Sequence, residues 1–84
     1  MNEGLCILGI KINDRVKEAG SVQRVLTDYG CSIKTRLGLH EVTNDHCSTS
    51  GLIILELTGT QRDQEKLREE LGNIQGITLK RMDF

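Results

Sequence analysis

The stretch LCILGIKI at residues 5–12 is short, almost continuously apolar and rich in β-branched side chains, which indicates a buried strand. A second stretch of this kind, GLIILEL, occupies residues 51–57. Each is followed by apolar residues spaced three or four apart, the pattern of an amphipathic helix. The first helix has the stripe Val16, Ala19, Val22, Val25, Leu26 and Tyr29, and the second has Leu67, Leu71 and Ile74.

Three weaker segments complete the predicted order of elements. Residues 31–39 alternate in part between apolar and polar side chains and predict a more polar strand. Residues 41–50 are the longest polar stretch of the chain and predict a loop. Residues 77–82 predict a final strand.

The ends of the two helices carry recognisable capping residues. Gly30 follows Tyr29 directly and predicts a left-handed cap at the end of the first helix. Thr60 and Asp63, three residues apart, resemble a capping box and predict the start of the second.

The resulting order is β-α-β-β-α-β, within a chain of 84 residues that we expect to form a single domain, residues 1–84. Because strand–helix–strand connections in one sheet are almost always right-handed, both helices should lie on the same face. The prediction is an α+β, ferredoxin-like fold whose four-stranded antiparallel sheet has the spatial order 4-1-3-2. The two strands predicted at its edges carry charges that discourage further pairing: Lys34, Arg36, Lys80 and Arg81.

The two apolar strands predict a second buried surface. Successive side chains of a strand point to opposite faces, and two helices can cover only one face. One alternating set of side chains is therefore left on the helix-free face, and this set is Leu5, Ile7, Leu52 and Ile54. An apolar patch of this kind is typical of an interface, so we predict a homo-oligomer, either a dimer or a tetramer. The alternative is that these residues are singly exposed and form no interface.

Composition excludes several classes of function. Eleven basic and twelve acidic residues leave no positive patch for nucleic acid, and one Tyr and one Phe give little surface for base stacking. No apolar run approaches the ~20 residues of a membrane span. Three cysteines without a CxxC motif fit a reducing compartment, so we expect a cytoplasmic protein. No catalytic or phosphate-binding motif is visible, so we expect no enzyme activity.

One group of side chains suggests a metal. His40, His46 and Cys47 lie close together in the sequence, and imidazole with thiolate suits Ni or Zn. Their spacing matches no structural zinc pattern, and a fourth ligand would have to come from water or from a partner subunit. The alternative is a surface loop in which these side chains cap turns or pack at an interface, without any cofactor.

Four stretches together resemble a known family: NDR at residues 13–15, VLTDYG at 25–30, RLGL at 36–39 and GLIIL at 51–55. They are similar to the small ACT-like proteins described as regulators of iron-only hydrogenase systems, and more distantly to the C-terminal sensing domain of the nickel-responsive repressor. The resemblance covers nearly the whole chain. It implies a βαββαβ fold, association through sheets or edges, and effector sensing.

The resemblance also implies where an effector would bind or subunits would meet. In many ACT domains a glycine-rich turn after the first strand holds an amino-acid effector, and this turn reads Asn13-Asp14-Arg15 here. This departure argues against an amino acid as the effector. The implied effector-binding or interface residues are Asn13, Asp14, Arg15, Arg36, Gly38 and His40. The function expected from the sequence is a stand-alone, non-catalytic regulatory module that senses a small molecule, with a transition-metal-binding protein as the alternative.

Overall fold

A computed structural model describes residues 4–13, 15–42 and 47–84, with backbone alone for residues 15–19, 39–42 and 47–50. Four strands and two helices follow one another in the predicted order, with one 3₁₀ turn between the first helix and the second strand. They are β1 (Cys6–Ile12), α1 (Arg15–Asp28), the 3₁₀ turn (Gly30–Ser32), β2 (Ile33–Val42), β3 (Cys47–Leu57), α2 (Gln61–Gly72) and β4 (Ile77–Asp83).

The strands form one antiparallel sheet in the order β2-β3-β1-β4. At its centre Ile10 of β1 lies between Ile53 of β3 and Leu79 of β4. The predicted fold class and strand order are therefore confirmed. The most apolar strands occupy the centre of the sheet. A central strand is paired along both of its edges, and both of its faces are partly screened from water.

The core lies between the sheet and the two helices. Cys6, Leu8, Ile10 and Ile12 alternate along β1 as buried residues, as the period of two for a strand requires. Their partners on β3 and on the helices close the core, and these are Ile53, Leu55, Leu57, Val22, Leu26, Leu67 and Leu71. The buried helical pairs are four residues apart, so each helix turns one stripe toward the sheet.

The predicted loop over residues 41–50 is wrong in extent. Glu41 and Val42 continue β2, and β3 already begins at Cys47. Val42 pairs with Cys47, whereas β1 pairs with β3 only as far as Gly51. The β2–β3 hairpin therefore extends past the end of β1. Alternating apolar residues indicate that one face of a strand is buried, but they do not indicate backbone pairing. A hairpin made of polar residues is therefore not predicted by this pattern.

The predicted left-handed cap at Gly30 is also wrong. The described glycines with positive φ are Gly59 and Gly76. After α1 the chain continues into the 3₁₀ turn, in which the Ser32 amide donates to the Tyr29 carbonyl at 2.9 Å. Because this turn satisfies the end of the helix, no left-handed residue is needed, and the next strand begins at Ile33 and not at residue 31.

The start of α2 matches its predicted cap. The Thr60 hydroxyl accepts a hydrogen bond from the Asp63 amide at 3.1 Å. We expect Thr60→Ala to lower the free energy of unfolding by about 1 kcal/mol, because an amide of the first turn loses its partner. Urea denaturation at fixed protein concentration measures this loss. Thr58→Ala, at an exposed position just before the helix, is the matched control, and an equal loss there would contradict the capping role.

Candidate functional site

One face of the sheet carries neither of the described helices, and the structure places apolar side chains across all four strands there. We call this set the open face, and it consists of Ile7, Gly9, Leu37, Leu52, Ile54 and Met82. Leu37 is 53% exposed, Met82 55% and Leu52 37%, whereas Ile7 and Ile54 are half-buried. Leu5, 38% exposed, lies just before β1 on the same alternation. The four residues predicted for an interface thus lie together on the helix-free side.

Gly9 lies in the middle of the open face. Its strand neighbours are Ile54 on β3 and Lys80 on β4. A Cβ at this position would meet the Ile54 Cδ1 atom and the Lys80 carbonyl oxygen at 4.0 Å, which is ordinary contact. The backbone of Gly9 does not adopt a positive φ. Neither the packing nor the conformation of one chain requires glycine here, and glycine leaves this point of the open face without a side chain.

Charged groups of both signs surround the apolar part of the open face. The Glu56 carboxylate accepts a hydrogen bond from the Thr35 hydroxyl at 2.9 Å and lies 3.9 Å from the Lys34 ammonium. Lys80 lies two strands away, on the far side of β1. The margin of the face therefore carries a carboxylate on one side and an ammonium on the other.

The residues that the resemblance implies for an effector are spread over two parts of the fold. Asn13 directly follows β1, and its amide donates to the Gly76 carbonyl at 2.9 Å. Arg36 and Gly38 lie on edge strand β2, which β3 separates from β1. The Arg36 guanidinium donates to the side-chain oxygen of Gln23 on α1. Within one chain, the structure does not bring Asn13 together with Arg36.

The other three implied effector residues are described in part or not at all. Arg15 begins α1 and His40 lies in β2, each by its backbone only, and Asp14 lies outside the described residues. Their role as effector-binding or interface residues stays a prediction.

The metal prediction also falls largely on residues outside this description. His46 is not described, and His40 and Cys47 are described by backbone alone, on the two paired strands of the β2–β3 hairpin. Among the described residues no group of three or more His, Cys, Asp or Glu side chains could hold a metal ion. The Ni or Zn site stays a prediction.

A cavity of about 250 Å³ lies at the opposite end of the sheet from Asn13, between α2 and edge strand β4. We call it the α2–β4 pocket, and it is lined by Gly4, Leu5, Cys6, Gln61, Gln64, Arg68, Arg81, Asp83 and Phe84. The three α2 residues share one helix face, and Arg81 and Asp83 lie two apart on one side of β4. The Gln64 side chain is buried, and its amide donates to the Gly59 carbonyl at 3.1 Å.

Three side chains that line this pocket interact with one another through hydrogen bonds and charge. The Arg81 Nε atom donates to the Asp83 carboxylate at 2.7 Å, and this bond lowers the pKa of Asp83 below its usual value. The Cys6 thiol also donates to Asp83. Burial, followed by this hydrogen bond to a carboxylate, raises the pKa of Cys6. Cys6 is therefore a neutral, buried donor and not a reactive thiolate.

Sequence reasoning missed this pocket. Arg81 was expected only as a charge that protects an edge, and no role was predicted for the α2 residues that line the pocket. Asp83 faces Cys6 across two strands far apart in the chain, and only the register of β1 against β4 sets that contact. The available signal was the i, i+2 spacing of Arg81 and Asp83, which places both on one side of a strand.

Comparison with known proteins agrees with this architecture. No family model matches the sequence, and no curated protein matches it. Among solved structures, the uncharacterized protein TM1266 from Thermotoga maritima superposes with a TM-score of 0.78 at 25% identity, covering 98% of this chain and 99% of that one. The ACT domain of GTP pyrophosphokinase from Chlorobium tepidum gives 0.64 at 16% identity, covering 93% and 96%. The fold is ACT-like.

A third similar structure belongs to another group of regulators. The nitrogen regulatory PII-like protein CPII from Thiomonas intermedia K12, in its apo form, has a TM-score of 0.58 at 15% identity, covering 96% of this chain and 89% of that one. CPII has also been solved bound to ADP, AMP and bicarbonate. Within the described part of this chain, no helix is long and apolar enough to cross a membrane.

Proposed function

We propose that this chain is a non-catalytic regulatory module that senses a small molecule and acts as a homo-oligomer. The observation that carries the proposal is the open face, an apolar surface that spans all four strands of an ACT-like fold and that neither of the described helices covers. The similarity to an ACT domain and to a PII-like regulator supports the sensing role.

A second copy of the chain is the partner that suits the open face best. A domain of 84 residues buries a smaller share of its unfolded surface than a larger domain does, so it gains more from a further apolar contact. Burial of a fully exposed large apolar side chain contributes roughly 1.5–3 kcal/mol, and the exposed parts of the five such residues on this face supply a share of that gain to a dimer.

The shape and charge of the open face also favour a copy of itself. A two-fold interface needs a patch that is complementary to itself. Ile54 lies between Gly9 and Leu37 at the centre of the open face, so in a two-fold interface the Ile54 side chain of one copy would pack against the Gly9 backbone of the other. Glu56 and Lys80 lie at opposite margins of the face, so each copy carries a negative and a positive side chain that could pair with the opposite charge on the second copy.

Thermal unfolding of the wild type with small molecules tests the sensing role. The panel is AMP, ADP, bicarbonate, acetate and the common amino acids, each against NaCl of equal ionic strength. A ligand at a hundred times its Kd adds about 2.7 kcal/mol, which raises the Tm of a domain of this size by on the order of 10 °C. Midpoints that stay at the NaCl value throughout the panel would overturn the sensing role.

Sedimentation with and without the stabilising compound then tests regulation. We expect the compound to change the distribution of oligomers in the wild type. A compound that binds but leaves the sedimentation profile unchanged would separate sensing from assembly and contradict the proposed link between them.

A further inference from the structure

We propose that the α2–β4 pocket binds a small carboxylate, and that Arg68 is the residue that holds it. The pocket would give the sensing module its ligand class, so the inference rests on the proposed function for its biological role but not for binding itself. All lining residues belong to this chain, so the proposed site needs no residue of a second copy.

The two cations of the pocket differ in how they are paired: Arg81 donates directly to Asp83, whereas Arg68 acts on Asp83 only through its charge. Asp83 already accepts hydrogen bonds from Arg81 and from Cys6. Arg68 is half-buried and forms no ion pair with any side chain in the described part of the chain. Two guanidinium groups and the Asp83 carboxylate line the pocket, so its lining side chains carry one net positive charge. Glu65 does not line the pocket, but its negative charge contributes to the raised pKa of Arg81.

The chemistry of the Arg68 guanidinium favours a carboxylate as the ligand. A guanidinium presents parallel N–H donors that match the two oxygens of a carboxylate. A monoanion balances the single net charge, whereas a second negative charge, as on phosphate, would repel Asp83 in this confined space. The exposed Gln61 amide at the rim offers one further, neutral donor.

The size of the pocket limits the rest of the ligand. About 250 Å³ lies below the range of roughly 300–1,000 Å³ that is typical of drug-sized sites. Leu5 and Phe84 also line the pocket, and the Phe84 amide donates to the Leu5 carbonyl at 2.9 Å. A short acid fits this volume, and a nucleotide does not.

NMR titration of the ¹⁵N-labelled wild type tests the assignment. Sodium acetate is compared with sodium chloride and sodium phosphate at equal ionic strength. We expect acetate alone to give saturable shifts, centred on the amides of Cys6, Arg68 and Asp83. Arg68→Gln should weaken acetate binding at least tenfold, and Arg68→Lys, which keeps the charge but loses the paired donors, should weaken it less.

Arg62→Gln is the matched control, since Arg62 is an exposed arginine on the same helix that does not line the pocket. Equal weakening in that variant, or equal shifts with chloride, would show general charge screening and overturn the proposal. Equal shifts with phosphate would overturn the choice of carboxylate. Acetate binding retained in a monomeric variant supports a site within one chain, even if the proposed oligomer or the regulatory response fails.

Discussion

Replacement of Ile54 by aspartate is expected to convert the protein from an oligomer into a monomer of 9.4 kDa. Ile54 lies at the centre of the open face, between Leu37 and Gly9. In a sheet-to-sheet dimer the new carboxylate would be buried without a partner, at a cost of several kcal/mol. In the monomer the position is half-buried, so the chain folds with lowered stability. Sedimentation equilibrium at micromolar concentration measures the change.

Gln75→Asp is the control, because it adds the same charge at an exposed turn away from the open face. This variant should keep the mass of the wild type. A wild type that already sediments at 9.4 kDa under these conditions would contradict the proposed interface.

Gly9→Leu provides a second test that does not add a charge. A Cβ at this position makes only ordinary contacts within the chain, so the variant should fold. The larger side chain projects from the middle of the open face, where the proposed second copy would pack, and we expect the dissociation constant of the proposed oligomer to rise at least tenfold. A variant that folds and keeps the wild-type mass would show that this part of the face lies outside the interface.

Leu8→Ala is expected to lower the free energy of unfolding by about 2–5 kcal/mol. Leu8 is fully buried on the central strand, where it lies beside Leu55 of β3 and beneath both helices. Truncation removes transfer free energy and leaves a cavity that the surrounding strands cannot close. Because a domain of this size has a total stability on the order of 5–15 kcal/mol, this loss would bring it close to unfolding. Urea denaturation at fixed protein concentration measures the effect.

Leu8→Met keeps the volume of the side chain and is the matched control. It should cost less than about 1.5 kcal/mol, since no cavity forms. Equal losses in the two variants would show that the chemical nature of leucine at this position, and not the volume it fills, determines the stability.

Predictability differed between the core and the functional surfaces. Residues 5–12 and 51–57 could be recognised as central strands because burial selects apolar side chains, and burial leaves a mark in the sequence. The residues at which helices and strands begin and end were predicted less accurately from the sequence. The polar strand residues Glu41 and Cys47 were assigned to a loop because backbone pairing outside the core selects no particular side chain.

The sequence by itself determined the fold class, the strand order and part of the open face, namely the alternation of Leu5, Ile7, Leu52 and Ile54 but not Leu37 or Met82. All three depend on the spacing of apolar residues and on the handedness of the chain, which are local properties. Only the tertiary structure decided that Cys6 meets Asp83, that Arg81 neutralises this carboxylate, and that Arg68 lacks an ionic partner among the described residues. Those contacts join strands and a helix distant in sequence, and they depend on register and helix position, which leave no periodic pattern along the chain.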